Sequence, residues 1–386
     1  MEDLFTRPDL EALMSKQRSA CLSMFMPAVQ AGQEVRQNPT RFKNLLTSAE
    51  RLLSENPGST PLPKDFLGPL RALTHDNLFW SNQSSGLAIF RSPGMIRTYR
   101  LPASFRELVI AADHFHVKPL ISFLRRLQKF YVLALSMKEV RLMECSLQQV
   151  LEVNIPDMPG SMEEALRYDE PQNRLQFRTG TDRIGDKPSA AIFHSHGTGL
   201  EATKNDILRY FKLVNKALEQ FLQQGKDPLI LAGVDYLLPI YEEANTYAHL
   251  QKVGIPGNPE GWTPEELKKQ AWPKIERLLS EREASAISDY EEKAVRLPGS
   301  KDVREIAASA YHARVDSLLL SEDEEVWGVF DREKDEAKVS PGGSRMGSYD
   351  LLNFAAIYTL ANGGTVIPLP RARVPGRAQA AALFRY

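Results

Sequence analysis

The stretch FYVLALSMKEVRLMEC, Phe130–Cys145, decides how the middle of this 386-residue chain folds. Two apolar runs, rich in aromatic and branched side chains, flank the pair Met137-Lys138. A gap of this length joins antiparallel strands in a hairpin. The stretch therefore predicts a β-hairpin, and the apolar runs at Leu147–Val153 and Leu175–Arg178 predict a third and a fourth strand.

A helix and a further strand continue the pattern. From Ile207 to Leu222, apolar residues recur at three- and four-residue spacing, which predicts an amphipathic helix capped by Thr203 or Asn205. Leu229–Gly233 is a short continuous apolar run and predicts a buried strand. Strands followed by a helix and then another strand indicate an α/β domain.

Three domains are expected, because 386 residues exceed one ordinary core. The Pro- and Gly-rich loop before Trp272-Pro273 places the second boundary there. We expect an N-terminal α+β domain at 1–127, a central α/β domain at 128–273 and a C-terminal α/β/α domain at 274–386, as separable bodies.

The third domain shows a second alternation of helices and strands. The pattern predicts helices at Asp302–Leu320 and Tyr349–Leu360. It predicts strands at Thr365–Leu369 and Ala380–Tyr386, with a basic loop between them. This order is typical of an α/β sandwich.

The long polar segment Thr179–Thr203 of the central domain is the candidate functional loop, because long loops inside compact domains are commonly functional. It contains AAIFHSHGTGL, Ala190–Leu200, where imidazoles and glycines crowd together. Glycine lets another molecule approach the backbone, and histidine binds metals, moves protons or stacks on bases. The candidate catalytic residues are His194, His196, Gly197 and Gly199, and the candidate RNA contacts in the loop are Arg183 and Lys187.

A metal site at these histidines is one alternative. The H-x-H pattern resembles the His-x-His-Pro motif of JAMM-type zinc metallopeptidases, but Gly197 replaces the proline. Asn205 and Leu208 stand where that motif needs Ser and Asp, so the third ligand is missing. We therefore expect no metal at His194 and His196, and no cofactor. An ordinary hydrogen-bonded strand end is the other alternative.

The charge distribution favours the first third of the chain as a polyanion-binding surface. The whole chain has a net charge of −1, but residues 1–127 hold 16 Lys and Arg against 11 Asp and Glu. Arg36, Arg41 and Lys43 cluster where a helix is predicted to begin. They are candidate phosphate contacts, and a solvated helix start is the alternative interpretation.

Other features point to a protein of the cytoplasm. The two cysteines, Cys21 and Cys145, are far apart, which argues against a disulfide framework or a thiolate zinc site. The N-terminus lacks the apolar core of a secretion signal, and no apolar run is long enough to cross a bilayer. For a second H-x-H, His114 to His116, we expect no carboxylate or cysteine close enough to complete a metal motif, and therefore a structural role.

Three stretches together resemble one family. They are CLSMFMPAVQAGQEVRQNPTRFKNLLTSAERLL at 21–53, FYVLALSMKEVRLMEC at 130–145, and LLNFAAIYTLANGGTVIPLP at 351–370 followed by AAALFRY at 380–386. Their order and spacing are similar to those of the archaeo-eukaryotic peptide-chain release factor and Pelota superfamily, specifically its bacterial branch.

The resemblance implies a three-domain release-factor-like architecture. Its central domain would be RNase-H-like and its C-terminal domain ribosomal-protein-like. It also implies ribosomes or tRNA as partners. In that family a Gly-Gly-Gln loop of the central domain enters the peptidyl-transferase centre, and the matching position here is Thr179–Thr203. This sequence contains neither Gly-Gly-Gln nor the Asn-Ile-Lys-Ser string that reads stop codons.

We therefore expect an RNA-binding, release-factor-like protein that acts on ribosomes or peptidyl-tRNA in termination, rescue or ribosome-associated regulation. Hydrolysis of the peptidyl-tRNA ester stays open as an activity. A zinc metallopeptidase and a non-catalytic interaction protein that retains the fold are the alternatives. The sequence leaves the substrate and the oligomeric state undetermined.

We expect the double substitution His194→Ala, His196→Ala to leave the melting temperature nearly unchanged, because exposed side chains contribute within about ±0.5 kcal/mol. The same variant should lose ribosome binding or peptidyl-tRNA cleavage. Thermal melts and ribosome sedimentation of that one variant test this. Loss of several kcal/mol of stability together with normal binding would instead indicate a packed strand end.

Overall fold

The computed structural model describes residues 5–15, 17–30, 32–55, 65–126, 129–167, 198–222, 225–340 and 347–386. The chain forms two compact units. One unit combines residues 1–127 with residues 279–386, and the other consists of residues 128–278. The second unit is therefore an insertion in the sequence of the first.

Helices and four sheets make up the described residues, so the predicted mixed α/β class is confirmed. No sheet of the described residues crosses either predicted boundary. The first boundary, at 127, coincides with a unit boundary. The second, at 273, falls inside one continuous helix, Pro264–Lys293, and the inserted unit ends at Leu278. The division into three separable domains stays a prediction.

The N-terminal segment is built on one antiparallel sheet in the order β3-β2-β1-β4. Its strands are β1 Gln17–Pro27, β2 Gly86–Ser92, β3 Met95–Leu101 and β4 Leu108–His114. Its helices are α1 Arg7–Met14, α2 Gln37–Glu55, α3 Gly68–Leu73, α4 Asn77–Ser81 and α5 Lys118–Arg126.

Helix α2 covers one face of this sheet because its apolar residues recur at helical spacing. Phe42, Leu45 and Ala49 are buried and belong to one core with Met24 of β1 and Ile89 of β2. The register pairs Met24 with Ile89, so both side chains point to the same face. Alternation along β1 therefore decides which face receives the helix.

The inserted unit contains a five-stranded mixed sheet in the order β7-β6-β5-β8-β9. Its strands are β5 Phe130–Leu135, β6 Val140–Cys145, β7 Val150–Val153, β8 Leu229–Gly233 and β9 Ile255–Pro256. Its helices are α6 Met162–Arg167, α7 Thr198–Leu222, α8 Leu237–Ala244 and most of α9 Pro264–Lys293.

The hairpin predicted around Met137-Lys138 is confirmed. β5 and β6 are antiparallel, with Leu135 opposite Val140. β5 also runs parallel to β8, so it lies inside the sheet, and all six of its residues are buried. This explains why its sequence is continuously apolar rather than alternating. The predicted strand at Leu175–Arg178 lies outside the described residues.

Helix α7 begins earlier than expected. The sequence suggested a cap at Thr203 or Asn205, whereas the helix starts at Thr198. Leu200, Glu201 and Ala202 favour a helix, and a glycine in the first turn costs only about 1 kcal/mol relative to alanine. The last six residues of the predicted loop 179–203 are therefore helical, and its other residues lie outside those described.

The C-terminal segment carries two sheets, β10-β16-β11-β15 and β13-β12-β14. The strands are β10 Gly299–Ser300, β11 Val315–Ser321, β12 Trp327–Asp331, β13 Glu336–Val339, β14 Tyr349–Asp350, β15 Thr365–Leu369 and β16 Ala380–Phe384. The helices, besides the end of α9, are α10 Val303–Tyr311 and α11 Leu351–Ala361.

The helix predicted at Asp302–Leu320 was wrong in its second half. Helix α10 ends at Tyr311, and Ala313 adopts a left-handed conformation with φ 60°. The next residues form β11, which pairs in parallel with β15 and antiparallel with β16. Burial between two neighbouring strands overrides the helical spacing of its leucines.

The structure also describes the two cysteines and the apolar character of the helices. Cys21 and Cys145 are both buried and form no disulfide, and burial raises the pKa of the Cys145 thiol to about 12. Within the described part of the chain, no helix is both long and apolar enough to span a membrane.

Leu133→Ala tests the central position of β5. Leu133 is fully buried, so its truncation should lower the free energy of unfolding of the inserted unit by about 2–5 kcal/mol. Leu151→Ala on β7 is the matched control, because that side chain is 50% exposed and its loss should cost far less. Denaturant unfolding measures both. Equal losses would contradict the arrangement of the sheet.

Candidate functional site

Arg36, Arg41 and Lys43 lie where α2 begins, so the helix start predicted there from the sequence is present. Gln33–Arg36 forms a 3₁₀ turn that leads directly into α2. Arg36 and Lys43 are exposed, and Arg41 is half-buried. The Arg41 guanidinium donates a hydrogen bond to the Gln37 side-chain oxygen at 3.3 Å. We call Arg36, Arg41 and Lys43 the basic helix start.

A buried asparagine fixes this surface. The Asn38 side chain is fully buried, and its Oδ1 accepts from the Val29 amide at 3.1 Å. Its Nδ2 donates to the Val29 carbonyl at 2.9 Å. The first turn of α2 is therefore tied to the end of β1, and the basic side chains start from a fixed backbone.

The electrostatics of this surface favour anions. The N-terminal end of a helix carries partial positive charge, so acidic residues are the stabilising choice there. The first turn of α2 contains no acidic residue, and cations stand on either side of it. This arrangement disfavours the isolated helix slightly but provides a surface that can receive phosphate groups.

The predicted catalytic loop is only partly covered. Gly199 lies in the first turn of α7. His194, His196, Gly197, Arg183 and Lys187 lie outside the described residues. The assignment of the loop residues, and that of Arg36, Arg41 and Lys43 as RNA contacts, stays a prediction.

A buried polar cluster that the sequence did not predict lies in the discontinuous unit. It joins the end of β4 and the start of α5 to the residues before β12 and the start of α11. Its members are His116, Lys118, Glu325, Asp350 and Asn353. The side chains of Lys118 and Asp350 are 1% and 0% exposed, and Lys118 Nζ lies 2.8 Å from Asp350 Oδ2.

Residues at the start of α11 cap two helix starts in this cluster. Asn353 of α11 accepts through Oδ1 from the amides of Val117 and Lys118 at 2.7 and 3.0 Å, so it caps α5. Its Nδ2 donates to the Phe115 carbonyl at 3.1 Å. Asp350 caps its own helix, with Oδ1 accepting from the Leu352 amide at 3.1 Å.

His116 is the member of the cluster whose ring makes no hydrogen bond to the described residues. Its side chain is 1% exposed, and neither ring nitrogen has a hydrogen-bond partner among the described residues. Nδ1 lies 4.0 Å from Asp350 Oδ2. Burial lowers the pKa of His116 to about 3; the charge of Asp350 opposes the shift and that of Lys118 adds to it. His116 is therefore neutral at pH 7.

A divalent cation has a potential ligand set here. Among the described residues, His116, Glu325 and Asp350 place their ligand atoms within 4.8 Å of one another. The expectation that no carboxylate accompanies this H-x-H was wrong, because both carboxylates come from the C-terminal segment. However, Lys118 and Arg106 already pair with these carboxylates. The cluster is charge-balanced without an ion, because the Lys118 ammonium lies close to both carboxylates.

A second histidine contact joins the same segments. His114 Nδ1 lies 2.6 Å from Asp113 Oδ1, and Arg332 donates to Asp113 Oδ2 at 3.1 Å. Burial raises the pKa of Asp113, but His114 and Arg332 outweigh it, so the pKa lies below its ordinary value. The His114 ring meets Tyr349 edge-on, with 4.7 Å between centroids. This contact is structural, as the sequence suggested.

Most of the positive charge of the basic loop before β16 is paired with acidic side chains. Arg371 pairs with Glu324, and Arg373 Nη1 lies 2.5 Å from Glu283 Oε2. Two of its three arginines thus serve internal ion pairs. The basic helix start remains the better candidate for binding a polyanion.

The burial of neutral His116 predicts a pH dependence. The unfolded chain gains a proton near pH 6.5, whereas the folded chain gains it only near pH 3. Between these values the free energy of unfolding should fall as pH falls, by up to about 1.4 kcal/mol per pH unit from this residue. His116→Leu removes this contribution, so its stability should depend less steeply on pH.

Urea unfolding of both proteins between about pH 6 and pH 4 measures the difference in slope. His75→Leu is the matched control, because the side chain of His75 is exposed. Parallel pH profiles for the unsubstituted protein and His116→Leu would contradict a neutral, buried His116.

Comparison with known proteins shows which family part of the chain resembles. Residues 130–277 match the family model described as bacterial archaeo-eukaryotic release factor family 7. No curated protein matches the sequence. Among solved structures, a model of ribosome-bound archaeal Pelota and ABCE1 is 11% identical, covering 100% of this chain and 99% of that chain, with a TM-score of 0.42.

Two further structures are similar at comparable identity. Pelota of Archaeoglobus fulgidus is 14% identical over 78% of this chain and 79% of that chain, with a TM-score of 0.32. The archaeal translation termination factor aRF1 is 13% identical over 98% of this chain and 96% of that chain, with a TM-score of 0.22. The family match over residues 130–277 confirms the resemblance to the bacterial branch of the archaeo-eukaryotic release factor and Pelota superfamily.

Proposed function

We propose that this chain is a release-factor-like protein that acts on ribosomes or on the peptidyl-tRNA they hold, in the cytoplasm. The observation that carries the proposal is the family match over residues 130–277, which covers nearly all of the inserted unit. The role would be in termination, in rescue or in ribosome-associated regulation.

The basic helix start supports binding to RNA. Ribosomal RNA and tRNA present closely spaced phosphates, and cations that neutralise them release counterions. Arg36, Arg41 and Lys43 stand on a backbone fixed by Asn38, on the segment with the excess of positive charge. Backbone contacts of this kind position a protein on RNA without reading sequence.

The loop 179–203 would supply the chemistry in this proposal. Without Gly-Gly-Gln, the family's glutamine-dependent hydrolysis does not carry over to this sequence. His194 and His196 would instead polarise the ester, move a proton or stack on a base, with Gly197 and Gly199 allowing close approach. Arg183 and Lys187 would contact RNA phosphates.

The family match gives no support to the metallopeptidase alternative, which predicts stoichiometric zinc in the purified protein. A non-catalytic interaction protein would bind ribosomes but leave peptidyl-tRNA intact. Metal analysis and a peptidyl-tRNA cleavage assay therefore separate these functions from the proposed one.

We expect the triple substitution Arg36→Ala, Arg41→Ala, Lys43→Ala to weaken sedimentation with ribosomes and to flatten its salt dependence. Each lost phosphate contact should reduce the slope of log affinity against log salt by roughly 0.7 to 0.9. Sedimentation across a salt series measures this slope.

A charge-matched control is Arg304→Ala, Lys334→Ala, Lys338→Ala, because these exposed cations lie on the C-terminal segment. The control should keep the original slope. Equal slopes for the unsubstituted protein and the first variant would exclude the basic helix start, and failure of the unsubstituted protein to sediment would exclude ribosome binding.

A further inference from the structure

The discontinuous unit raises the question of what holds its two halves together. Residues 1–127 and 279–386 are separated by the whole inserted unit, yet they pack as one compact body. Three kinds of contact join them, and each involves the start of α5 or the end of β4.

The first contact is backbone capping across the two segments. The amides of Val117 and Lys118 have no partner within their own helix, because they stand at its start. Asn353, 235 residues away from Lys118, accepts from both. Without α11, these amides and the Phe115 carbonyl would lose the partners that Asn353 provides.

The second contact is the ion network on Lys118. Its Nζ lies 2.8 Å from Asp350 Oδ2 and 3.8 Å from Glu325 Oε1, and it donates to the Glu324 carbonyl. Removing either segment would leave a buried charge without compensation, which is a strongly unfavourable state.

The third kind of contact consists of further pairs of residues from the same two segments. Arg332 pairs with Asp113, and His114 packs against Tyr349. The Arg125 guanidinium at the far end of α5 donates to the Val366 carbonyl of β15 at 3.3 Å. The joint therefore extends along the whole of α5.

We propose that residues 1–127 and 279–386 are one cooperative folding body, locked by the Asn353 cap on α5 and by the Lys118–Asp350 pair, and that residues 128–278 open independently of it. We call this set of contacts the α5–α11 interlock. It differs from the three separable bodies that the sequence suggested, because the first and third segments cannot satisfy their buried polar groups separately.

Native-state hydrogen exchange of the full-length protein tests the proposal without any substitution. As urea rises, amides of β1 and β4 should join the same opening transition as those of β11 and α11. Amides of β5 and β8 should follow a different transition. Separate transitions for the N-terminal and C-terminal segments would overturn the proposal.

Lys118→Met gives the second arm. It leaves Asp350 buried without its cation, so opening of the discontinuous unit should become roughly a hundred-fold or more easier, because removing one partner of a buried pair is strongly destabilising. Exchange should accelerate in both of its segments and stay unchanged in β5 and β8. Acceleration confined to one segment would contradict a shared body.

Lys204→Met is the matched control. Lys204 pairs with Glu243 at 3.7 Å, but both side chains are more than half exposed, so little change is expected anywhere. The unsubstituted protein is also measured after treatment with a chelator. Loss of protection in the discontinuous unit on chelation would overturn the proposal, because a bound cation rather than Lys118 would then compensate the carboxylates.

Discussion

The need to satisfy the start of helix α5 is the constraint on which the discontinuous unit depends. A helix start leaves amides without intrahelical partners, and here they are buried. Asn353 accepts from two of them, and Asp350 on the same helix holds the Lys118 ammonium. The start of α11 thus supplies both the cap of α5 and the counter-charge of Lys118, and these contacts join the two segments.

The same joint explains why a fully buried lysine and histidine are tolerated. Lys118 is held by a carboxylate and a backbone carbonyl, so its charge is compensated. His116 avoids the cost of a second buried cation by staying neutral. Its unpartnered nitrogens are the remaining unfavourable feature, and keeping the ring neutral costs more stability as the pH falls below about 6.5.

The candidate functional groups are not members of this joint. Arg36 and Lys43 are exposed on α2, whose first turn is tied by Asn38 to the end of β1. The family match falls on the inserted unit, whose core is formed around the buried strands β5 and β8. A rigid scaffold that presents charged side chains at a fixed backbone suits recognition of phosphates, where position rather than sequence is read.

Local pattern was enough to predict the hairpin at Phe130–Cys145, the helix ending at Leu222 and the strand Thr365–Leu369, because continuous apolar runs and helical spacing are visible in neighbouring residues. The family resemblance was also visible in short stretches, and so was the start of helix α2. Only the tertiary structure decided that β11 is a strand, since pairing with β15 and β16 outweighs its local spacing. Only the tertiary structure brought Asp350, Glu325 and Asn353 to His116 and Lys118. Contacts between residues more than 200 positions apart depend on how sheets and helices pack, and no local pattern records them.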